Sequence, residues 1–202
     1  MEISSIIVKK KDVIVKFQNK QESLKLSYDL YTEHFLYVGK DIDRKLYYKL
    51  KNQSLYDSTL QWCKGYLANH IISTFQLKKK LEIKKLSYKQ ISAIIKTLQD
   101  INLLNDIEYC KHIINIENNK NHGKRHIINK LYNAGITYSL INTFLFDDDE
   151  EKKKMYYSIN RYKNKKTYQK FDAKKLYKYL LQNGFDEDLI NEYLEVNNTG
   201  NI

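Results

Sequence analysis

The chain has 202 residues, 42% of them hydrophobic, and carries 35 Lys and Arg against 24 Asp and Glu, a formal charge of +11. That length suits one large or two small domains, and the charge favours an acidic partner such as nucleic acid, a nucleoprotein or an anionic membrane. No run approaches the ~18 apolar residues of a membrane span, "MEISSIIVKKKD" lacks the positive–apolar–small order of a signal peptide, and two lone cysteines, Cys63 and Cys110, fit a reducing compartment. A soluble cytoplasmic protein is expected.

Usage rich in Lys, Asn, Ile and Tyr, with 18 Tyr and no Pro, fits an AT-rich genome, so lysine number alone argues little. The distribution of charge says more. Residues 105–150 carry 5 basic and 7 acidic groups and separate two basic ends.

Residues 3–26 alternate with period 2 and are rich in β-branched types, which predicts strands. Ile6 and Val8 share a face, as do Val13, Val15 and Phe17, then Leu24 and Leu26. "KKKD" (9–12) and "QNKQE" (18–22) are the turns of a small antiparallel three-stranded sheet. Ser27 is placed to cap a short helix running to about Phe35. "YVGKDID" (37–43) is a break, with Gly39 as turn residue and Asp41 or Asp43 capping the next helix. "LYYKL" (46–50) reads as an amphipathic helix that packs this segment onto the rest.

From Ile42 the pattern is helical, and it repeats. Leu81, Leu131 and Leu180 align, as do Leu77, Ile127 and Leu176 one turn earlier on the same face. Ser73, Gly123 and Asp172 fall at the N-cap. Lys85, Gly135 and Gly184 fall at the helix end, where glycine supplies the left-handed C′ conformation and Lys85 breaks the column. Leu86, Ile136 and Phe185 come next as staples, then Ile91, Ile141 and Ile190, and Ile94, Phe144 and Tyr193. A preceding helix aligns Leu60, Cys110 and Ile159, and Cys63, Ile113 and Tyr162. The expected architecture is mainly α: an N-terminal β-strand and helix extension (1–53), then three tandem three-helix repeats (54–104, 105–150, 151–202) in an elongated, curved arrangement. Asp106 is expected to cap the first helix of the second repeat. The acids of "FDDDEEKKK" (146–154) are expected on a solvated helix N-terminus that the macrodipole favours.

No constellation of catalytic groups stands out. The chain has no phosphate loop and no G-x-S-x-G, and the consecutive acids Asp147 to Glu151 lack the alternation of a calcium loop. Cys110, His112, His122 and His126 are types that bind zinc. Cys110 falls in a core column, and His122 and His126 lie across a helix boundary at Gly123, so no metal site and no cofactor are expected. Basic clusters remain. Lys78, Lys79 and Lys80 lie opposite Leu77 and Leu81. Lys124 and Arg125 occupy a first helical turn, where the dipole disfavours cations. Arg161, Lys163, Lys165 and Lys166 interleave with Tyr162 and Tyr168, which suits phosphate contact with base stacking, although Tyr162 falls in a core column.

With the repeats laid out, the chain resembles the RecX family, bacterial modulators of the RecA recombinase. The resemblance rests on "HIISTFQLKKKL" (70–81), "INLLNDIEYC" (101–110), "NHGKRHIINKLYNAGI" (121–136) and "YLLQNGFDEDLI" (179–190), in order and spacing over nearly the whole chain. The β segment with "YVGKDID" resembles the extension of RecX proteins from low-GC Gram-positive bacteria. Departures are His122 and Lys124 beside Gly123, Asn183 where Arg is common before Gly-Phe, and Asn102 for a junction Gly. The resemblance implies a non-enzymatic monomer that binds the RecA–single-stranded DNA filament, with possible direct DNA contact. It implies inhibition or modulation of recombinase, ATPase and coprotease activity. The rival readings are a stand-alone helix-turn-helix DNA-binding protein and an RNA-associated or structural helical repeat.

Overall fold

The computed structural model describes residues 1–10, 12–18, 21–144, 146–165 and 172–199. Three strands, β1 (Ile3–Lys9), β2 (Asp12–Phe17) and β3 (Leu24–Ser27), form an antiparallel sheet in that order. Val13, Val15, Phe17, Leu24 and Leu26 turn inward and are buried, as the period-2 pattern requires. Helices α1 (Tyr28–Glu33) and α2 (Arg44–Leu67) cover that face, and Tyr47 and Leu50 of α2 lie in the same core as the sheet residues. The Tyr47 hydroxyl donates to the Glu22 carbonyl at 3.1 Å, and its ring meets Phe17 edge-on at 5.3 Å. Ser27 caps α1 and Asp43 caps α2. Val8 is 55% exposed although it pairs with buried Val13, because α1 and α2 pack chiefly on β2 and β3.

The remaining helices are α3 (Thr74–Glu82), α4 (Tyr88–Asp100), α5 (Asp106–Asn119), α6 (Lys124–Asn133), α7 (Tyr138–Ile141), α8 (Asp148–Lys165), α9 (Ala173–Gln182) and α10 (Glu187–Thr199). From α2 onward they fall into three successive triplets. The aligned columns are core: Leu77, Ile127, Leu176, Leu81, Leu131 and Leu180 are all fully buried. Gly135 and Gly184 adopt φ of +77° and +86°, the left-handed region that side chains disfavour. At the junction after α4, Asn102 stands at φ +54°; asparagine is the residue other than glycine that best tolerates this region. Helix α2 runs without a break through residues 53 and 54, joining sheet cover and first-triplet core in one rod of 24 residues.

The chain divides into two compact units, residues 1–70 with 78–103, and residues 71–77 with 104–202. In the second, the N-cap and glycine columns meet. The Ser73 hydroxyl donates to the Ala134 carbonyl at 2.6 Å and accepts from the Gln76 amide, and the Phe75 ring lies against Gly135. One repeat later, the Gly123 amide donates to the Asn183 carbonyl at 2.8 Å and the Arg125 amide to the Gly184 carbonyl at 3.0 Å. Each N-cap thus seats on the left-handed turn of the next triplet. Lys85 breaks the glycine column because no earlier triplet seats on it. Asp172 begins the last such helix and caps it with its own carboxylate, which accepts from the Lys175 amide at 3.1 Å.

Two expectations about acidic residues need correction. Asn105, not Asp106, caps α5, accepting from the Ile107 and Glu108 amides. Asp106 reaches across to accept the Thr74 amide at 2.7 Å, satisfying a donor at the start of α3. Glu151, read as part of a solvated acidic face, is 5% exposed. It accepts the Lys124 amide at 2.6 Å at the start of α6 and pairs with buried Lys154 at 2.7 Å. In both cases a carboxylate caps a helix remote in sequence, which local spacing cannot reveal.

Candidate functional site

Helix α6 positions the most distinctive polar cluster. Glu117, near the C-terminal end of α5, is 1% exposed. Its Oε1 accepts from Lys130 Nζ at 2.7 Å and Lys120 Nζ at 3.1 Å, and its Oε2 from His122 Nδ1 at 2.6 Å. A carboxylate only accepts, so His122 carries a hydrogen on Nδ1. His126 Nε2 lies 3.4 Å from the same Oε2, and the two imidazole rings are 4.2 Å apart. Burial alone would raise the Glu117 pKa, but the hydrogen bonds from Lys130, His122 and Lys120 outweigh it and hold the carboxyl down at about 2. Burial, and then the neighbouring His122, push the His126 pKa below its usual value.

This cluster borders an open groove of about 740 Å³ in the second unit. Arg125, His126, Asn129 and Lys130 of α6 line it, together with Gln182 and Gly184 at the end of α9 and with Gln76 and Tyr109. The groove presents cations and planar amides, a lining for anionic groups and for backbone or base edges. Its Arg125 is half-exposed, with Nε 3.6 Å from Asp186. Lys124 begins the same helix and holds its ammonium 5.8 Å from the Phe146 ring centre.

The expected basic residues fall on both units. Lys78, Lys79 and Lys80 belong to the first. Lys78 lies over the Tyr88 ring at 5.3 Å and Lys80 over Tyr66 at 5.2 Å. Tyr66 stacks on Trp62 within α2 and on His70 beyond its end, and Lys84 covers Trp62 at 4.5 Å, so this surface is a cation–aromatic lattice. In the second unit, Lys124 and Arg125 sit at the groove's end of α6. Arg161 and Lys163 are exposed on α8, with Lys163 Nζ 3.3 Å from the Tyr193 hydroxyl. Lys165 closes α8, and Lys166 and Tyr168 lie outside the described residues. Tyr162 packs on Tyr179 at 4.9 Å, partly buried against the last triplet's core.

Cys63 and Cys110 are fully buried, and burial raises both thiols to about 11, so they stay protonated at neutral pH. Sequence reasoning singled out His122 and His126 but missed Glu117. The signal was present: Glu117 stands four residues after Ile113 and seven after Cys110, an acid on the apolar stripe of α5. Among the described residues, no helix is long and apolar enough to cross a membrane.

No family model matches the sequence. Two curated relatives do. The regulatory protein RecX of Finegoldia magna is 30% identical over 189 residues, covering 89% of this chain and 91% of the relative. The regulatory protein RecX of Clostridioides difficile is 33% identical over 161 residues, covering 76% and 70%. Among solved structures, one of regulatory protein RecX matches with a TM-score of 0.66 at 19% identity, covering 94% of this chain and 97% of the other. RecX from Lactobacillus salivarius matches with a TM-score of 0.63 at 21% identity, covering 71% and 96%. The two structures share the fold. The extent and identity of the first relative, taken with the helical triplets and their glycine turns, establish that this chain belongs to the RecX family of regulatory proteins.

Proposed function

We propose that this chain binds the RecA–single-stranded DNA filament and modulates it, chiefly by inhibiting recombinase, ATPase and coprotease activity. It acts as a cytoplasmic monomer, with the three triplets as its binding repeats. Membership of the RecX family carries this reading. The groove beside α6 supports it, because Arg125 and Lys130 line it with positive charge that complements an anionic partner. Lys78, Lys80 and Lys84, seated over aromatic rings on the first unit, offer a second basic surface. Protonated, buried thiols leave the two cysteines unsuited as nucleophiles, and the relatives' naming as regulatory proteins favours action by binding over catalysis.

The helix-turn-helix alternative has weaker support. Helix α7, the second helix of the hairpin after Gly135, has four residues, too few to fill a major groove. Helix α10, after Gly184, opens with Glu187 and Asp188, which would meet phosphates with like charge.

The deciding measurement is RecA ATPase on single-stranded DNA at increasing concentrations of this protein. Moderate salt suppresses nonspecific electrostatic binding. Falling ATPase and co-sedimentation with filaments are expected. Unchanged ATPase without co-sedimentation would overturn the proposal, and tight duplex binding without RecA would favour the alternative.

A further inference from the structure

We infer that Glu117, His122 and His126 form a binding site for a divalent transition-metal ion of the zinc class, a role distinct from filament binding. The three side chains come from the C-terminal end of α5, the loop after it and the first turn of α6. Their ligand atoms all lie within 4.8 Å of one another. Two imidazole nitrogens and one carboxylate oxygen are a donor set that zinc, cobalt and nickel prefer and that magnesium and calcium do not.

The two distances to the carboxylate oxygen need little movement, and the two imidazole nitrogens, within 4.8 Å of each other, draw together as the ion binds. Zinc bonds of ~2.0–2.1 Å in a tetrahedron place neighbouring ligand atoms about 3.3 Å apart. His126 Nε2 already stands 3.4 Å from Glu117 Oε2. His122 Nδ1 is 2.6 Å from it and must open by about 0.7 Å, the ring then carrying its hydrogen on Nε2 so that neutral Nδ1 faces the metal. The His122 and His126 side chains are 24% and 35% exposed, so an ion can enter and keep solvent in its fourth position.

The remaining oxygen of the carboxylate is engaged by Lys120 and Lys130. These ammoniums oppose a further cation, so affinity falls below that of a structural zinc site with four protein ligands. Both lysine side chains are about half exposed, at 52% and 42%, and can turn toward water. They also explain how the cluster holds together without metal. The ion would then tie the end of α5 to the start of α6 in the helix that walls the groove.

The test uses the tag-free chain, stripped with chelator, and titrates it with Co²⁺ and Zn²⁺ separately. One equivalent should bind, with the visible absorption of low-symmetry cobalt and a raised melting temperature with zinc. His122→Ala and His126→Ala should each weaken binding at least tenfold while far-UV circular dichroism stays helical. No saturable uptake by the unmutated chain up to ~100 µM metal would overturn the inference, and this outcome needs no variant to fold. Undiminished uptake by the folded double variant, or uptake of Mg²⁺ or Ca²⁺ in preference to Zn²⁺, would also overturn it. Filament inhibition is read separately, so failure of either leaves the other standing.

Discussion

Replacing Gly123 with serine sets local sequence preference against tertiary geometry. Serine is the residue at the equivalent position 73, and as an N-cap it should exceed glycine by a few tenths of a kcal/mol. Gly123 makes no side-chain cap, and its φ of −73° is open to any residue. Helix α6 taken alone would therefore gain slightly. The packing predicts a loss. A Cβ on Gly123 would lie 2.3 Å from the Gly184 carbonyl oxygen, 2.4 Å from its carbon and 2.6 Å from the Phe185 nitrogen. All three are backbone atoms, and no side-chain rotation relieves them. The turn that would have to move is fixed by hydrogen bonds from the Gly123, Arg125 and Phe185 amides to the Asn183, Gly184 and Leu180 carbonyls, at 2.8, 3.0 and 3.2 Å. Overpacking of this kind costs about 1–3 kcal/mol, which exceeds the capping gain and lowers the melting temperature of a chain this long by about 2–12 °C. Thermal and denaturant unfolding followed by circular dichroism measure it. Gly65→Ala is the control. Gly65 lies inside α2 with nothing within 4 Å of the added Cβ, so the exchange should stabilise by about 0.5–1 kcal/mol. If Gly123→Ser is as stable as the unmutated chain, the seating of α6 on the Gly184 turn is refuted.

Glu117→Gln, assayed with chelator, should destabilise by about 1–3 kcal/mol in denaturant unfolding; a buried ion-pair loss would cost more, but the lysine partners are half in water. A wild-type-like midpoint would show that the carboxylate does not bind α5 to α6. Cys63 and Cys110, buried with pKa raised to about 11, should resist thiol reagents at pH 8 in the native chain and react with two equivalents in denaturant. Rapid native labelling would contradict their burial. Lys124→Gln with Arg125→Gln should weaken filament binding on the order of tenfold, equivalent to ~1.4 kcal/mol, without lowering stability. Neutral substitutions are the better test, because acids here would meet Glu151 and Asp186. Unchanged affinity would remove both residues from the binding surface.

The division between sequence and structure comes from range. Period-2 and period-3.6 patterning reports which face of an element is buried, and it places Val13, Val15, Leu77, Leu131 and Leu180 on core-facing positions, where the fold buries them. Caps and left-handed turns are also local, so Ser27, Asp172, Gly135 and Gly184 were legible from neighbours a few residues away. The partner of each polar group was not. Asp106 serves the amide of Thr74, Glu151 that of Lys124, and Glu117 gathers two lysines and two histidines from the turn and helix beyond it. The N-cap and glycine columns were each visible as repeats, yet that they form one joint depended on which backbone the folded chain brings within 3 Å. Burial can be inferred from periodicity because water is everywhere outside. Pairing cannot, because a donor is satisfied by whichever acceptor tertiary packing places in reach.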